Sequence, residues 1–192
     1  MPRGDSAETR DRLLRAGLSE FSSHGLAGAR VERVAASGGV SKQGIYNYFG
    51  GKDGLFLAVI DVFVVGPLDS LAFDPLDLAA YAGRLFDLLE ENPDVARLIA
   101  WSEVGTPTPG PDALRPTIAR RAELIRDAQA AGRLSRELDP LDTLLAVHAL
   151  PMAWHLHPGR PTAVSAATGR SRREASVEAA RHFTLEVSVL RR

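Results

Sequence analysis

Apolar residues recur along most of this chain at three- and four-residue intervals, the period of an amphipathic helix. Leu13, Leu14, Gly17, Leu18 and Phe21 form one such face and predict a helix over about residues 7–23. His24-Gly25 should close it, because glycine readily takes the left-handed C-terminal cap. Asp74-Pro75-Leu76-Asp77 and Asp139-Pro140-Leu141-Asp142 each predict a helix start. They place Asp as N-cap, proline at the first helical position and a second carboxylate in the first turn. Asn92-Pro93-Asp94 does the same while ending the helix before it. Apolar faces follow at Leu78, Tyr81, Ala82, Leu85, Phe86, Leu88 and Leu89, then at Val95, Leu98, Ile99 and Trp101. Ile118, Ala122 and Ile125 lie on a long helix that Gly132 should stop. A helix from Pro140 towards His155 should kink at Pro151, which removes a backbone donor and crowds the preceding turn. Residues 158–169 read as a loop. Ser171-Arg172-Arg173-Glu174 reads as a capping box. Ala180, Phe183, Val187 and Leu190 then make a 3-4-3 seam, the pattern of a helix packed along another helix. Residues 55–65 would also suit a buried strand, but a lone strand has nothing to pair with. About nine helices result, and the fold class is all-α.

Composition narrows the class. The chain has 192 residues, of which 53 are alanine or leucine, so helix formers dominate. Cysteine is absent, which excludes a disulfide framework, a thiolate metal site and a cysteine nucleophile. The longest apolar run falls well short of the ~20 residues that a membrane helix needs. The N-terminus does not resemble a signal peptide, so a cytoplasmic protein with no membrane association is expected. Net charge is −1, yet residues 1–54 carry +2 and the remainder −3. Of 23 basic residues only Lys42 and Lys52 are lysines. No nucleophile elbow or phosphate-binding loop occurs, which argues against an enzyme. His148, His155 and His157 lack a carboxylate at ligand spacing, so neither a metal nor another cofactor is expected.

Residues 31–49 carry the informative motif. A short helix over about 31–37, a Gly38-Gly39 turn and a second short helix over about 42–48, capped by Ser41, have helix-turn-helix spacing. Val34, Ala35, Val40 and Ile45 supply the apolar contact between the two helices. The second helix presents Lys42, Gln43, Tyr46 and Asn47, which suit a recognition helix in the major groove. Gln and Asn can pair bidentately with adenine, Lys reaches guanine or phosphate, and Tyr commonly anchors phosphate.

Ser41-Lys42-Gln43-Gly44-Ile45-Tyr46-Asn47-Tyr48-Phe49, followed by Lys52-Asp53-Gly54-Leu55, resembles the DNA-binding signature of the tetracycline-repressor (TetR) family. Phe21-Ser22-Ser23-His24-Gly25 and Val34-Ala35 fall where that family places them. The resemblance covers about residues 8–57. It implies a three-helix helix-turn-helix domain over 1–50 and an antiparallel helical domain for effector binding and dimerisation over 51–192. By position it implies DNA contact by Lys42, Gln43, Tyr46 and Asn47, with Arg30, Arg33, Tyr48 and Lys52 near the phosphate backbone. Ile45 and Phe49 would be core. Arg30 stands where the family has a Ser or Thr cap, Gly38 replaces a common Ala, and Gly50-Gly51 replaces a polar cap.

In the remainder, Phe86, Leu89, Trp101, Ile125, His148, Met152 and Trp154 offer aromatic walls with one hydrogen-bonding group, as a small apolar effector requires. The same residues would serve equally as ordinary helical core. Ala180, Phe183, Val187 and Leu190, with Leu144 and Val147 of the helix from Pro140, are the expected dimer interface. The expected function is a homodimeric, ligand-responsive repressor that a small molecule releases from a pseudo-palindromic double-stranded DNA operator. An activator, or a dimeric DNA-binding protein without an effector, stays open.

Overall fold

A computed structural model describes residues 3–104, 110–156 and 170–185. The regular structure among them is entirely helical. It begins with α1 (Arg3–Gly28), α2 (Val31–Gly38), α3 (Lys42–Phe49) and α4 (Lys52–Ile60). A π-helical stretch, Asp61–Val65, carries α4 into α5 (Gly66–Ser70) without leaving right-handed helical angles. There follow α6 (Leu78–Glu91), α7 (Pro93–Val104), α8 (Gly110–Ala130), α9 (Pro140–His155) and α10 (Arg172–Leu185). With the continuous path from Lys52 to Ser70 counted once, the described residues hold nine helices.

Most helix ends follow their local chemistry. α1 breaks at Gly25, whose φ of 64° is left-handed. Asp139 caps α9, its side chain accepting from Leu141 N–H at 2.8 Å, with Pro140 in the first turn. Ser171 and Glu174 exchange both capping-box bonds, at 2.7 and 3.2 Å. One start differs from expectation. Asp74 does not cap α6; its carboxylate accepts from Leu76 N–H within a turn, and Asp77 is the cap, accepting from Ala80 N–H at 3.0 Å. The motif holds two aspartates, and the second places the fully buried Leu78 at the head of the apolar face. α9 continues through Pro151. The expected loop over 158–169 lies outside the described residues.

The chain forms two compact units: Met1–Pro67 with Asp94–Leu114, and Leu68–Pro93 with Arg115–Arg192. The division does not fall at residue 50. α1 to α3 alone cannot cover the apolar face of α1, so later helices complete this core. Leu13, Leu14 and Phe21 cluster with Leu55, Phe56, Val59 and Ile60 of α4 and with Val95 and Leu98 of α7. Phe21 and Phe56 meet edge to face at 5.1 Å between ring centroids. Phe21→Ala should therefore destabilise this unit by about 3–5 kcal/mol, read as an earlier thermal or denaturant transition by circular dichroism. In the second unit, Leu78, Tyr81, Ile125, Leu144, Val147 and Ala180 form a core to which α6, α8, α9 and α10 contribute.

Candidate nucleic-acid interface

The two helices of the motif meet through buried apolar residues. Val34 and Ala35 of α2 and Ile45 of α3 are 2%, 3% and 0% exposed. Gly39 turns the chain between them at φ 70°, a conformation that costs glycine little. Gly38 is buried beneath Leu13; a Cβ there would stand 2.4 Å from Leu13 Cδ2. The missing side chain thus makes room for a core leucine. Ser41 caps α3, its hydroxyl accepting from Gly44 N–H at 3.3 Å. Gly50 and Gly51 reverse the chain after α3, both at positive φ (75° and 131°), where a polar capping residue would be strained.

With Ile45 facing inward, α3 exposes Lys42, Gln43, Tyr46 and Asn47. Tyr46 and Tyr48 are 46% and 37% exposed. Gln43 Nε2 donates to Asn47 Oδ1 at 3.3 Å, aligning the two amides one turn apart. Lys42 Nζ sits 2.6 Å from Glu32 Oε1 of α2. Their hydrogen bond and mutual attraction raise the lysine pKa and lower the carboxylate's.

Arg30, Arg33 and Lys52 were expected beside the phosphates. The side chain of Arg30 is exposed and caps nothing. Its backbone N–H donates to Glu20 Oε1 at 2.8 Å, so a buried carboxylate on α1 replaces the missing cap of α2. Arg33 Nε donates to both oxygens of the same Glu20 at 2.9 Å, and Nη2 donates to the Gly28 carbonyl. Lys52 Nζ donates to the carbonyls of Ala29 (3.1 Å) and Ala27 (3.4 Å), tying the end of α1 to the start of α4. Arg12 Nε donates to the Gly38 carbonyl at 3.4 Å. The motif alone did not reveal Glu20 or Glu32. Glu20 was recognisable only as an acid inside the apolar stripe of α1.

The expected effector residues are divided between the two units. Trp101 belongs to the first unit, where its ring lies against Gly25 and its Nε1 donates to the Ser22 carbonyl at 3.1 Å. In the second unit, Phe86, Leu89 and Ile125 are buried, and Met152 and Trp154 are half-buried. Trp154 lies 5.0 Å beneath the Arg172 guanidinium. His148 Nε2 meets the Tyr81 hydroxyl at 2.6 Å, and His155 Nε2 meets Glu90 Oε2 at 3.1 Å. His157 lies outside the described residues. A pocket of about 290 Å³ opens elsewhere in this unit, lined by Gln129, Leu134, Ser135, Glu137, Leu138, Thr143 and His182. It includes none of the seven expected lining residues. Leu144, Val147 and Ala180 are wholly buried in the unit's own core, while Leu141 and Leu145 of α9 are exposed. The Phe183 side chain, Val187 and Leu190 lie outside the described residues.

The family model of the tetR family of bacterial regulatory proteins matches residues 13–59, and the tetracyclin repressor-like C-terminal domain matches residues 77–182. The chain belongs to the TetR family. The HTH-type transcriptional repressor SCO4008 of Streptomyces coelicolor is 34% identical over 149 residues, covering 76% of this chain and 78% of that protein. The transcriptional regulator RutR of Escherichia coli is 33% identical over 93 residues, covering 45% of this chain and 43% of its own. Among solved structures, SCO4942 of Streptomyces coelicolor superposes with a TM-score of 0.78 at 36% identity, covering 91% of this chain and 97% of that one. TetR-family proteins are transcriptional regulators that bind DNA operators and function as dimers. This TetR-family chain is thus a ligand-responsive, DNA-binding regulator. No helix among the described residues is long and apolar enough to cross a membrane.

Proposed function

We propose that this TetR-family chain is a homodimeric cytoplasmic repressor that reads a pseudo-palindromic operator through α3 and leaves it when a small, largely apolar molecule binds the second unit. The observation that carries this reading is the exposed, hydrogen-bonding face of α3 on a helix whose opposite side is locked by Ile45. Gln43, Asn47 and Lys42 have the donors and acceptors for base edges, and Tyr46, Tyr48 and Arg30 suit phosphate. Arg33 and Lys52 act differently in the free protein: they hold α2 and the end of α1, and each keeps further N–H groups to offer a phosphate. A two-fold dimer sets two recognition helices about 34–36 Å apart. The exposed Leu141 and Leu145 give α9 an apolar outer face consistent with self-association. SCO4008, itself named a repressor, supports repression over activation. An effector shifts the equilibrium only by its difference in affinity for the two conformations.

Selection from a random duplex pool with the purified protein tests this. The expected result is a paired, inverted half-site motif whose enrichment disappears with Tyr46→Ala. Failure to enrich any motif at low salt, by a protein that is folded and dimeric, overturns the reading.

A further inference from the structure

The core of the second unit contains a buried charge with no ion-pair partner among the described residues. Arg121 on α8 is 1% exposed, and no described carboxylate lies within ion-pair distance of it. Its Nη1 donates to Tyr81 Oη at 2.6 Å, and its Nη2 donates to the carbonyls of Leu68 and Leu71. Its Nε is buried without a hydrogen-bond partner among the described residues. The rings of Tyr81 and Phe73 lie 4.9 and 5.3 Å from the guanidinium carbon. Each of these partners is neutral. The Tyr81 hydroxyl that accepts from Arg121 is also hydrogen-bonded to His148 Nε2, at 2.6 Å. Burial, then the Arg121 charge, push the His148 pKa down to about 4, so the imidazole is neutral as well. The Asp69 carboxylate is held by the Thr117 hydroxyl and Arg120 Nη2, both at 2.7 Å, and attracts Arg121 only from beyond ion-pair distance.

A buried cation with neutral partners and an idle donor is a costly way to fill a core, because an apolar side chain of similar volume would serve stability as well. It is a favourable arrangement for holding an anion. The planar N–H fork matches a carboxylate, with two parallel bonds that are both charge-assisted. The cover over Arg121 is also slight. Residues 71–77, between α5 and α6, contain only a turn; Ala72 and Asp74 are exposed, and Leu71 and Phe73 are half-buried.

We propose that Arg121 anchors the effector, and that the effector is a small organic acid, one carboxylate on an apolar body. This rests on the ligand-responsive regulator reading above. The carboxylate takes Nε–H and Nη2–H, and the apolar body takes the place of Leu71 and Phe73 against the surrounding core. The Leu68 and Leu71 carbonyls close the end of α5, the continuation of the helix that leaves Lys52. Acid binding therefore exchanges a cap on that helix for a contact to ligand. This exchange supplies the differential interaction that a switch requires.

The test uses the full-length protein and sodium benzoate, phenylacetate, hexanoate and decanoate, each beside its uncharged amide, with acetate and inorganic phosphate as anions lacking an apolar body. Binding is read as a rise in unfolding temperature and by calorimetry. At least one of the larger acids should bind, and its amide should bind at least tenfold more weakly. Arg121→Met should weaken that acid by about 100-fold, the usual consequence of removing one partner from a buried charged pair. Arg121→Lys, which keeps the charge and loses the fork, should fall between. The proposal is overturned if none of the larger acids binds, if an amide or phosphate binds as well as the acid, or if Arg121→Met binds unchanged. If Arg121→Met does not fold, the acid-against-amide comparison on the unaltered protein decides alone. Acid binding by a protein that selects no DNA would refute the regulator reading and leave this site standing. DNA selection without acid binding would do the reverse.

Discussion

Glu20→Ala is expected to cost the helix-turn-helix unit about 2 kcal/mol and to weaken operator binding severely, although residue 20 is buried on α1. The carboxylate is 8% exposed and performs two tasks: it accepts the Arg30 N–H that opens α2, and it pairs with Arg33 through both oxygens. Alanine leaves that N–H without an acceptor and frees Arg33, so the first turn of α2 frays. The packing of α3 on α2 then loses definition. Glu20→Gln keeps one acceptor for Arg30 and should lie between the two.

The pH dependence separates this account from simple loss of packing. Burial alone would raise the Glu20 pKa. The bonds from Arg33 and from the Arg30 N–H, together with the Arg33 charge, outweigh it and hold the group below the ordinary value of 4.5. A carboxyl depressed on folding contributes its full stabilisation above its unfolded pKa and loses it as pH falls through the folded value. With His24 Nδ1 3.7 Å from the same carboxylate and able to add its attraction in acid, the difference in melting temperature between the unaltered protein and Glu20→Ala should not narrow from neutral pH down to about pH 4.5 and should shrink only below that. A difference that stayed constant into strong acid would refute the ionic role.

Lys42→Ala and Glu32→Gln should change operator affinity in opposite directions. In the free protein Lys42 is paired with Glu32, and the proposed contact of Lys42 with DNA would break that pair and bring a carboxylate towards the phosphates. Lys42→Ala should weaken operator binding by about tenfold per half-site and lower the slope of log K against log salt by about one per contact removed. Glu32→Gln should strengthen binding several-fold, most visibly at low ionic strength, where like-charge repulsion is least screened. Fluorescence anisotropy titrations at several salt concentrations check both. Equal affinity for Glu32→Gln and the unaltered protein would show that the ion pair does not restrain Lys42.

Much of this arrangement was legible in local sequence. The break at Gly25, the Ser41 cap, the Asp139-Pro140 start and the Ser171–Glu174 box depend only on neighbours within a turn, and each appears where its residues stand. Asp74-Pro75-Leu76-Asp77 misled because its two aspartates can both cap, and burial of Leu78 decided between them. The cap of α2 was illegible: its acceptor comes from Glu20, ten residues away on another helix. Chemical type alone marks candidate effector residues, and type does not say where a side chain lies. Trp101 packs on Gly25 in the first unit, while Arg121, absent from any apolar pattern, is the buried charge of the second.

The scarcity of lysine has a consequence of its own. Only two lysines occur in the chain; one stands at the first position of the recognition helix, and the other binds the carbonyls at the end of α1. Acetylation or acylation of a lysine removes its charge and adds bulk. On most proteins such marks scatter over surfaces that tolerate them. Here both side-chain amines lie in the helix-turn-helix unit, one paired with Glu32 and one bound to backbone carbonyls, so lysine acylation is expected to fall on that unit alone and to break one of these two contacts.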